Sequence, residues 1–295
     1  MLFSYPSSFQ MIRRFLMIAI AATLLVSCAP PVQKPTGPAG DYNDAKDMFK
    51  RGKFDRALDF TYGLSTASPP TSFTERARVM RAVIFAGQLK SAKELSDAYG
   101  DGADKTKNSQ FKAAYQRQHH DTLQFAAKAA LGMAETAHQL VRDGVIAKEF
   151  TLEAAYPTTE GPMEVTDLSR VKEGGWIEPD QQEIVAMESL RKGIDDALAD
   201  VVLGDRAKAR SALADGSTKL QGVDFAIFLA KQLAEGAVIF DKKHARDSMK
   251  LKTLCTEGNE ALQAALALLK DQPDKDKEKE VKKLQERFKT ILKNT

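Results

Sequence analysis

The chain has few of the residues that build disulfide-rich or metal-centred proteins. Its 295 residues include 2 cysteines, 4 histidines and 1 tryptophan. The cysteines, Cys28 and Cys255, supply no paired-cysteine zinc motif, and they are too few for a disulfide framework. Neither charge dominates, because 43 basic residues stand against 40 acidic ones and leave a formal net charge of +3. This balance gives no reason to propose a nucleic-acid partner.

The histidines do not form a recognisable metal motif. His119 and His120 are adjacent, so on a helix they diverge by about 100° and cannot both face one ion. His138 lies too far along the chain to be a same-face neighbour within one turn, and no HExxH pattern accompanies any of them. We therefore assign no metal site and no cofactor.

Serine patterns typical of cell-wall enzymes occur without their companions. Ser-x-x-Lys, the pattern of penicillin-interacting enzymes, starts at Ser109, Ser169 and Ser189, but Ser-Asp-Asn and Lys-Thr-Gly are absent. Glu188-Ser189 resembles the acid–serine pair of lytic transglycosylases, and the surrounding sequence of that family is missing. We assign no catalytic residue and expect a protein that is not an enzyme.

The N-terminus carries the most informative pattern of the chain. Arg13 and Arg14 precede an uncharged apolar run over residues 15–26, which is followed by Cys28. A basic segment, a short apolar segment and small residues at the cut are typical of an export signal. The run is also well short of the roughly 20 residues that a membrane-spanning helix needs. Met11 is an alternative start, because residues 1–10 add nothing to the signal.

Leu25-Val26-Ser27-Cys28 resembles the lipobox of bacterial lipoproteins. The resemblance implies that residues 1–27 are a signal peptide removed before Cys28, whose thiol then carries lipid. Ala29 replaces the Asp that retains such proteins at the inner membrane in enterobacteria-like sorting. The implied location is the outer membrane, with the chain lipid-anchored and facing the periplasm. Residues 28–40 are rich in proline and predict an extended tether between membrane and folded part.

Residues 41–140 show a repeated spacing. Gly52, Phe54 and Ala57 recur thirty-five residues later as Gly87, Leu89 and Ala92. Glycine would end one helix of a pair, and alanine would let the two helices approach closely. The spacing resembles the tetratricopeptide repeat, whose period is about 34 residues. The resemblance implies an all-α fold of helical hairpins, stacked into an α-solenoid or a helical bundle, with both glycines at turns.

The spacing occurs a third time without the aromatic residue, at Ala197, Gly204 and Ala209. It lies in a C-terminal helical region over residues 180–295. Residues 223–240 are the most apolar of the mature chain and predict a central core helix. The last helix is expected to dock through one apolar stripe, formed by Val281, Leu284, Phe288 and Ile291.

The helical pattern fails over residues 141–179, where Pro and Gly pairs break the chain. A connection this long is usually functional or disordered, so we expect a site here. Tyr156 and Trp176 are the candidate partner-binding residues, because aromatic side chains dominate interface hot spots. An equally open interpretation makes Trp176 a plug that holds the connection against the core.

Three functions fit this sequence. The leading hypothesis is a lipid-anchored scaffold or assembly factor that binds another envelope protein, similar to the tetratricopeptide lipoproteins of the outer membrane, including that of the β-barrel assembly machine. The alternative is a small-ligand binder, similar to the T-component lipoproteins of periplasmic-binding-protein-dependent transporters. A cell-wall enzyme is third. A closed pocket lined by aromatics would favour the ligand binder, and an open groove would favour the scaffold.

Overall fold

The computed structural model describes residues 36–146, 149–158, 168–241 and 246–293. Cys28 and most of the predicted tether lie outside these residues. The described chain is all-α apart from one two-stranded sheet. Its ten helices are α1 Pro38–Lys50, α2 Phe54–Ser65, α3 Thr74–Lys105, α4 Ser109–Arg142, α5 Leu168–Lys172, α6 Pro179–Val201, α7 Arg206–Ala212, α8 Gly222–Val238, α9 Ser248–Asp271 and α10 Lys275–Lys293.

The predicted turn at Gly52 is confirmed. Gly52 lies between α1 and α2 with φ of 72°, a left-handed conformation that glycine adopts without strain. Ala45 and Ala57 are completely buried where the two helices pack together. The rings of Phe49 and Phe54 meet edge to face at 5.5 Å, which closes the turn end of the hairpin.

The predicted turn at Gly87 is wrong, because α3 runs uninterrupted through this position. A Cβ on Gly87 would lie 2.7 Å from the Cα of Ile194 in α6, and a Cβ on Gly193 would collide with the carbonyl oxygen of Gly87. Both glycines thus allow two helices to cross at backbone contact. The spacing from Gly52 repeats, but the physical reason for glycine differs between the two positions.

The core is built by helices that are distant in sequence. Helix α3 packs on α4 and α6, whereas α8 packs on α9, α4 and α10. The predicted core helix over residues 223–240 is confirmed as α8, whose residues Phe225, Leu229 and Leu233 are buried. No helix among the described residues combines the length and apolar character that a membrane crossing requires.

The connection over residues 141–179 has more regular structure than its sequence predicts. Strand β1 (Glu149–Leu152) pairs antiparallel with β2 (Thr218–Gln221), with Phe150 opposite Leu220. The ring of Phe150 packs edge to face on Phe225 of α8 at 5.0 Å. Strands of four residues are too short to show a period of two in the sequence, and their pairing joins segments far apart in the chain. The strand and helix α5 therefore correct the expectation of an irregular segment.

Helix α10 docks as its apolar stripe predicts. Val281, Leu284 and Phe288 are buried and Ile291 is partly buried. The ring of Phe288 lies over Gly258 of α9, where a Cβ would meet its Cε1 at 2.8 Å. An ion pair of 2.6 Å between Lys277 and Asp224 joins the start of α10 to the start of α8. These contacts fix α10 against the core and set one wall of the candidate site.

Candidate functional site

An open groove of about 810 Å³ lies between α3, α8 and α10, with one residue each from α5 and α6. Its basic lining residues are Lys90, Lys93, Lys172, Lys231, Lys283 and Arg287. Its acidic lining residues are Asp97, Asp200, Glu280, Glu286, Glu94 and Glu235. Leu89 and Leu284 add apolar surface. The groove therefore offers both charge signs in equal number to anything that enters it.

Helical spacing brings these charges to one surface. Lys90, Lys93, Glu94 and Asp97 recur at intervals of three and four, so they line a single face of α3. Lys231, Gln232 and Glu235 do the same on α8, which is otherwise the most apolar helix of the chain. The polar side of α8 is visible in the sequence. Its position opposite α3 and α10 is a tertiary fact that no local pattern predicts.

Glu235 joins the three helices that form the groove. Its carboxylate accepts hydrogen bonds from Lys93 of α3 and Arg287 of α10, both at 2.5 Å. Burial by itself would raise the pKa of Glu235, but the hydrogen bonds and charges of these two cations outweigh it and hold the pKa below its usual value. Glu235 is therefore ionised at neutral pH and forms a fixed bridge across the groove.

Two further ion pairs brace the walls. Lys90 of α3 contacts Asp200 of α6 at 2.8 Å, and Lys231 of α8 contacts Glu280 of α10 at 2.5 Å. Each pair joins a different combination of helices, so the groove keeps its shape through contacts independent of the bridge at Glu235. Pairs this exposed contribute little to stability individually, and their main effect is geometric.

The groove also contains a buried polar atom without a partner. Gln232 is only 3% exposed, and its Nε2 donates to the Asp200 carboxylate at 3.3 Å. Its Oε1 accepts no hydrogen bond from the described residues. A buried carbonyl oxygen without a donor is costly, typically about 1–3 kcal/mol. Gln232 thus contributes to the groove lining a buried amide whose oxygen is shielded from solvent.

Three charged side chains in the lining have no ion-pair partner within the described part of the chain. They are Asp97 of α3, Lys172 of α5 and Lys283 of α10. Every other charge of the groove is engaged in an ion pair with a neighbour. Asp97, Lys172 and Lys283 are therefore the groups whose charges remain available to a ligand.

The structure places Tyr156 away from this groove and mostly buried, at 9% exposure. The Arg210 guanidinium lies 5.1 Å from the centre of its ring. The phenol lies beside the Asp195 carboxyl, and burial, reinforced by that charge, raises the pKa of Tyr156 to about 12. Neither the hydroxyl of Tyr156 nor Oδ1 of Asp195 has a hydrogen-bond partner among the described residues.

Trp176 lies in a separate hydrophobic cluster with residues of α3 and α4. Its indole stacks on Phe111 at 4.6 Å and tilts against Tyr115 at 5.6 Å. The hydroxyl of Tyr115 donates to the carbonyl of Gly175, which ties the end of the connection to α4. Tyr156 and Trp176 are thus not brought together, and these contacts favour the plug interpretation of Trp176. Their role in partner binding stays a prediction.

Two residues of the sequence motifs, Ser189 and His119, take part in contacts between helices. Ser189 is buried and accepts a hydrogen bond from Ser91 at 3.0 Å, where α6 crosses α3. His119 contacts the Ser96 carbonyl through Nδ1 at 2.8 Å. Cys255 is buried, and burial raises the pKa of its thiol to about 11, so the thiol is protonated at neutral pH.

One group of side chains has the geometry to hold a metal ion. His138 of α4 lies 3.1 Å from Glu257 of α9, and Glu260 brings a second carboxylate within 4.8 Å of both. Burial raises the pKa of Glu257, and the His138 contact opposes that rise. The group was missed in the sequence because its members lie on two helices far apart in the chain.

No protein-family model, no curated protein and no solved structure matches this chain.

Proposed function

We propose that the chain is a lipid-anchored, periplasm-facing protein that binds another envelope protein in the groove between α3, α8 and α10. The observation that carries this proposal is the groove itself, which is open, charged with both signs and held in shape by ion pairs. Complementary charges of both signs select a partner by pattern and orientation more than by raw affinity. Lipid on Cys28 would keep the protein at the membrane, where its partners are concentrated.

The lining of the groove favours a protein over a small apolar ligand. Pockets for small molecules are lined mainly by hydrophobic and aromatic side chains. Here the lining is dominated by lysine, arginine and acids, and no aromatic side chain contributes to it as far as the described residues form it. The alternative function, a small-ligand binder associated with a transporter, is therefore ranked second.

A non-catalytic role is proposed because the residues that suggested chemistry have structural partners. Ser189, the serine of both cell-wall motifs, is occupied by Ser91 in a buried helix crossing. Its neighbour Glu188 is half-buried. A nucleophile needs a base within hydrogen-bond reach and access to substrate. The Ser189 side chain is buried, and its hydroxyl is hydrogen-bonded to Ser91.

Crosslinking in intact cells tests the proposal. A photoreactive amino acid replaces Asp97 in the groove, and the control places it at Lys252, an exposed residue of α9 outside the lining. We expect a discrete envelope-protein adduct from position 97 that Lys283→Glu reduces, and no such adduct from position 252. A photoreactive amino acid at position 176 tests Trp176, the other predicted partner-binding region, in the same way. Adducts of equal yield from 97 and 252, or none from 97, would overturn the proposal.

A further inference from the structure

We infer that His138, Glu257 and Glu260 form a binding site for a divalent transition-metal ion, and that Zn²⁺ fits it best. The three side chains each offer one ligand atom, and these atoms lie within 4.8 Å of one another. None of the three residues lines the groove between α3, α8 and α10. The site therefore goes beyond the proposed function and does not depend on it.

The separations of the ligand atoms fit a tetrahedral ion. Zn²⁺ binds histidine nitrogen and carboxylate oxygen at about 2.0–2.2 Å, so its ligand atoms are about 3.3–3.6 Å apart. Nδ1 of His138 lies 3.1 Å from Oε2 of Glu257, close to that separation. Glu260 is exposed, so rotation about its side-chain bonds can bring its oxygen closer without moving α9. The His138 side chain is 45% exposed, which leaves a path from solvent and room for a water as fourth ligand.

The helices under the site are held by packing on both sides. Glu257 and Glu260 are three residues apart on α9, so their side chains lie on one face of the helix. Gly258, between them, is covered by the ring of Phe288 from α10. Helix α4 packs on α9, and Ala137, next to His138, is completely buried. Ligands on packed helices keep their relative positions more precisely than ligands on loops.

The charge balance of the group indicates that a cation belongs there. The Glu257 side chain is 13% exposed, and its ion-pair partner among the described residues is His138, which is charged only when protonated. The similarly shielded carboxylate of Asp224, at 11%, has a full positive charge in Lys277. Glu260 adds a second negative charge, and α9 has no lysine or arginine within four residues of either glutamate. Shielded carboxylates are normally paired with a cation or coordinate a metal.

The ligand types select the class of ion. Imidazole nitrogen suits Zn²⁺, Ni²⁺ and Cu²⁺, whereas Mg²⁺ and Ca²⁺ prefer sites made only of oxygen. Mg²⁺ also requires near-octahedral geometry and releases its waters reluctantly. With one histidine and two carboxylates, the group therefore favours Zn²⁺ over Mg²⁺, which makes Mg²⁺ the suitable control ion.

Titration calorimetry of the purified, chelator-treated protein without a histidine tag tests the inference. We expect one Zn²⁺ per chain and much weaker binding of Mg²⁺. His138→Ala and Glu260→Gln should each weaken Zn²⁺ binding by about 10–100-fold or more, because even the loss of a residue that only supports a ligand has an effect of that size. His120→Ala is the matched control, since His120 is an exposed histidine of the same helix outside the group. It should bind Zn²⁺ as the wild type does.

Melting temperatures give a second readout. An ion that binds only the folded chain stabilises it, so Zn²⁺ should raise the melting temperature of wild type and His120→Ala, and have less effect on the two ligand variants. Both ligand variants change exposed side chains, and their metal-free melts report directly that they fold. No Zn²⁺ binding by the wild type, equal binding by either ligand variant, Mg²⁺ binding as tight as Zn²⁺ binding, or loss of binding in His120→Ala would overturn the inference. Crosslinking from position 97 concerns the groove alone, so the two proposals fail separately.

Discussion

At the scale of single residues, the close crossing of α3 and α6 depends on two glycines. A Cβ at Gly193 would meet the Gly87 carbonyl oxygen and lie 3.1 Å from Cβ of Ser91. We expect Gly193→Ala to lower the free energy of unfolding by about 1–3 kcal/mol, because a packed backbone contact has no room to relax. Urea unfolding monitored by circular dichroism measures the change.

Gly63 provides the matched control. It lies inside α2, it is exposed, and a Cβ there would meet no heavy atom within 4 Å. Gly63→Ala should therefore raise the free energy of unfolding by about 0.5–1 kcal/mol through the higher helix propensity of alanine. The same substitution thus has opposite signs at two helical positions. Destabilisation at Gly63, or none at Gly193, would contradict the crossing geometry.

Asp195 makes stability depend on pH. Burial raises its pKa, and this rise is only partly opposed by Tyr156 and by the charges of Arg191, Arg206 and Arg210. An acid whose folded pKa exceeds its unfolded value of about 3.9 binds more protons when folded, so its contribution to stability falls as pH rises through that interval. Asp195→Asn lacks this titration. Its stability relative to wild type should therefore be greater at pH 7 than at pH 4.

Thermal melts of both proteins at pH 4 and pH 7 check this expectation, because all other titrating groups are shared and cancel in the difference. Glu149→Gln is a suitable control, since Glu149 is exposed and its pKa is lowered by Lys219. An acid with a lowered pKa gives the opposite trend, so this variant should lose stability relative to wild type as pH rises. A pH-independent difference for Asp195→Asn would mean that its carboxyl titrates alike in folded and unfolded chains.

At the scale of secondary structure elements, the sequence predicts helices well and their arrangement poorly. The core helix over residues 223–240 and the docking stripe of α10 are confirmed. Gly52 and Gly87 stand at the same spacing from the residues that follow them, yet Gly52 lies in a turn and Gly87 lies where two helices cross. Local spacing cannot separate these roles, because the difference lies in Ile194, which approaches only one of them.

The candidate site is likewise visible only in the structure, because it depends on contacts between distant helices. The polar residues Lys231, Gln232 and Glu235 are visible in the sequence as one side of an apolar helix, but their partners lie on α3, α6 and α10. The strands β1 and β2 are missed because each is four residues long and their pairing joins residues 149–152 to residues 218–221. Tyr156 and Trp176 were chosen for aromatic character, and both are used in packing.

Phe288 tests the docking of α10 as a wall of the groove. It is completely buried on Gly258, so Phe288→Ala would leave a cavity and cost about 3–5 kcal/mol in the free energy of unfolding. Leu292→Ala, at a position 38% exposed on the same helix, should cost much less. Chemical unfolding of the two variants measures both. Similar losses would show that the last turn of α10 is held as firmly as its centre, contrary to the burial of its stripe.

At the scale of the whole molecule, three parts would act in series: a lipid anchor, a proline-rich tether and a helical body with a charged groove. A tether of extended polyproline character spans about 3.1 Å per residue, so residues 28–40 would hold the groove tens of ångströms from the bilayer. Balanced charge suits that position, because the full chain has a formal net charge of only +3, two of it from Arg13 and Arg14 of the predicted signal peptide, and is weakly drawn to an anionic membrane surface. The groove would then remain free for a partner.

The anchor itself gives the last prediction. Lipid on Cys28 requires its thiol, and the proline-rich segment after it offers no apolar surface for a membrane. Two or more acyl chains anchor a protein stably, whereas a chain without them has only weak surface contacts. We expect Cys28→Ser to move the protein from the membrane fraction to the soluble fraction after a salt wash, with Cys255→Ser as the control that stays bound.

Cell fractionation and immunoblotting measure the distribution, and mass spectrometry of the uncleaved precursor reports whether translation starts at Met1 or Met11. A Cys28→Ser protein that remains membrane-bound in wild-type amount would reject the lipoprotein hypothesis, while the geometry of the groove would be unaffected.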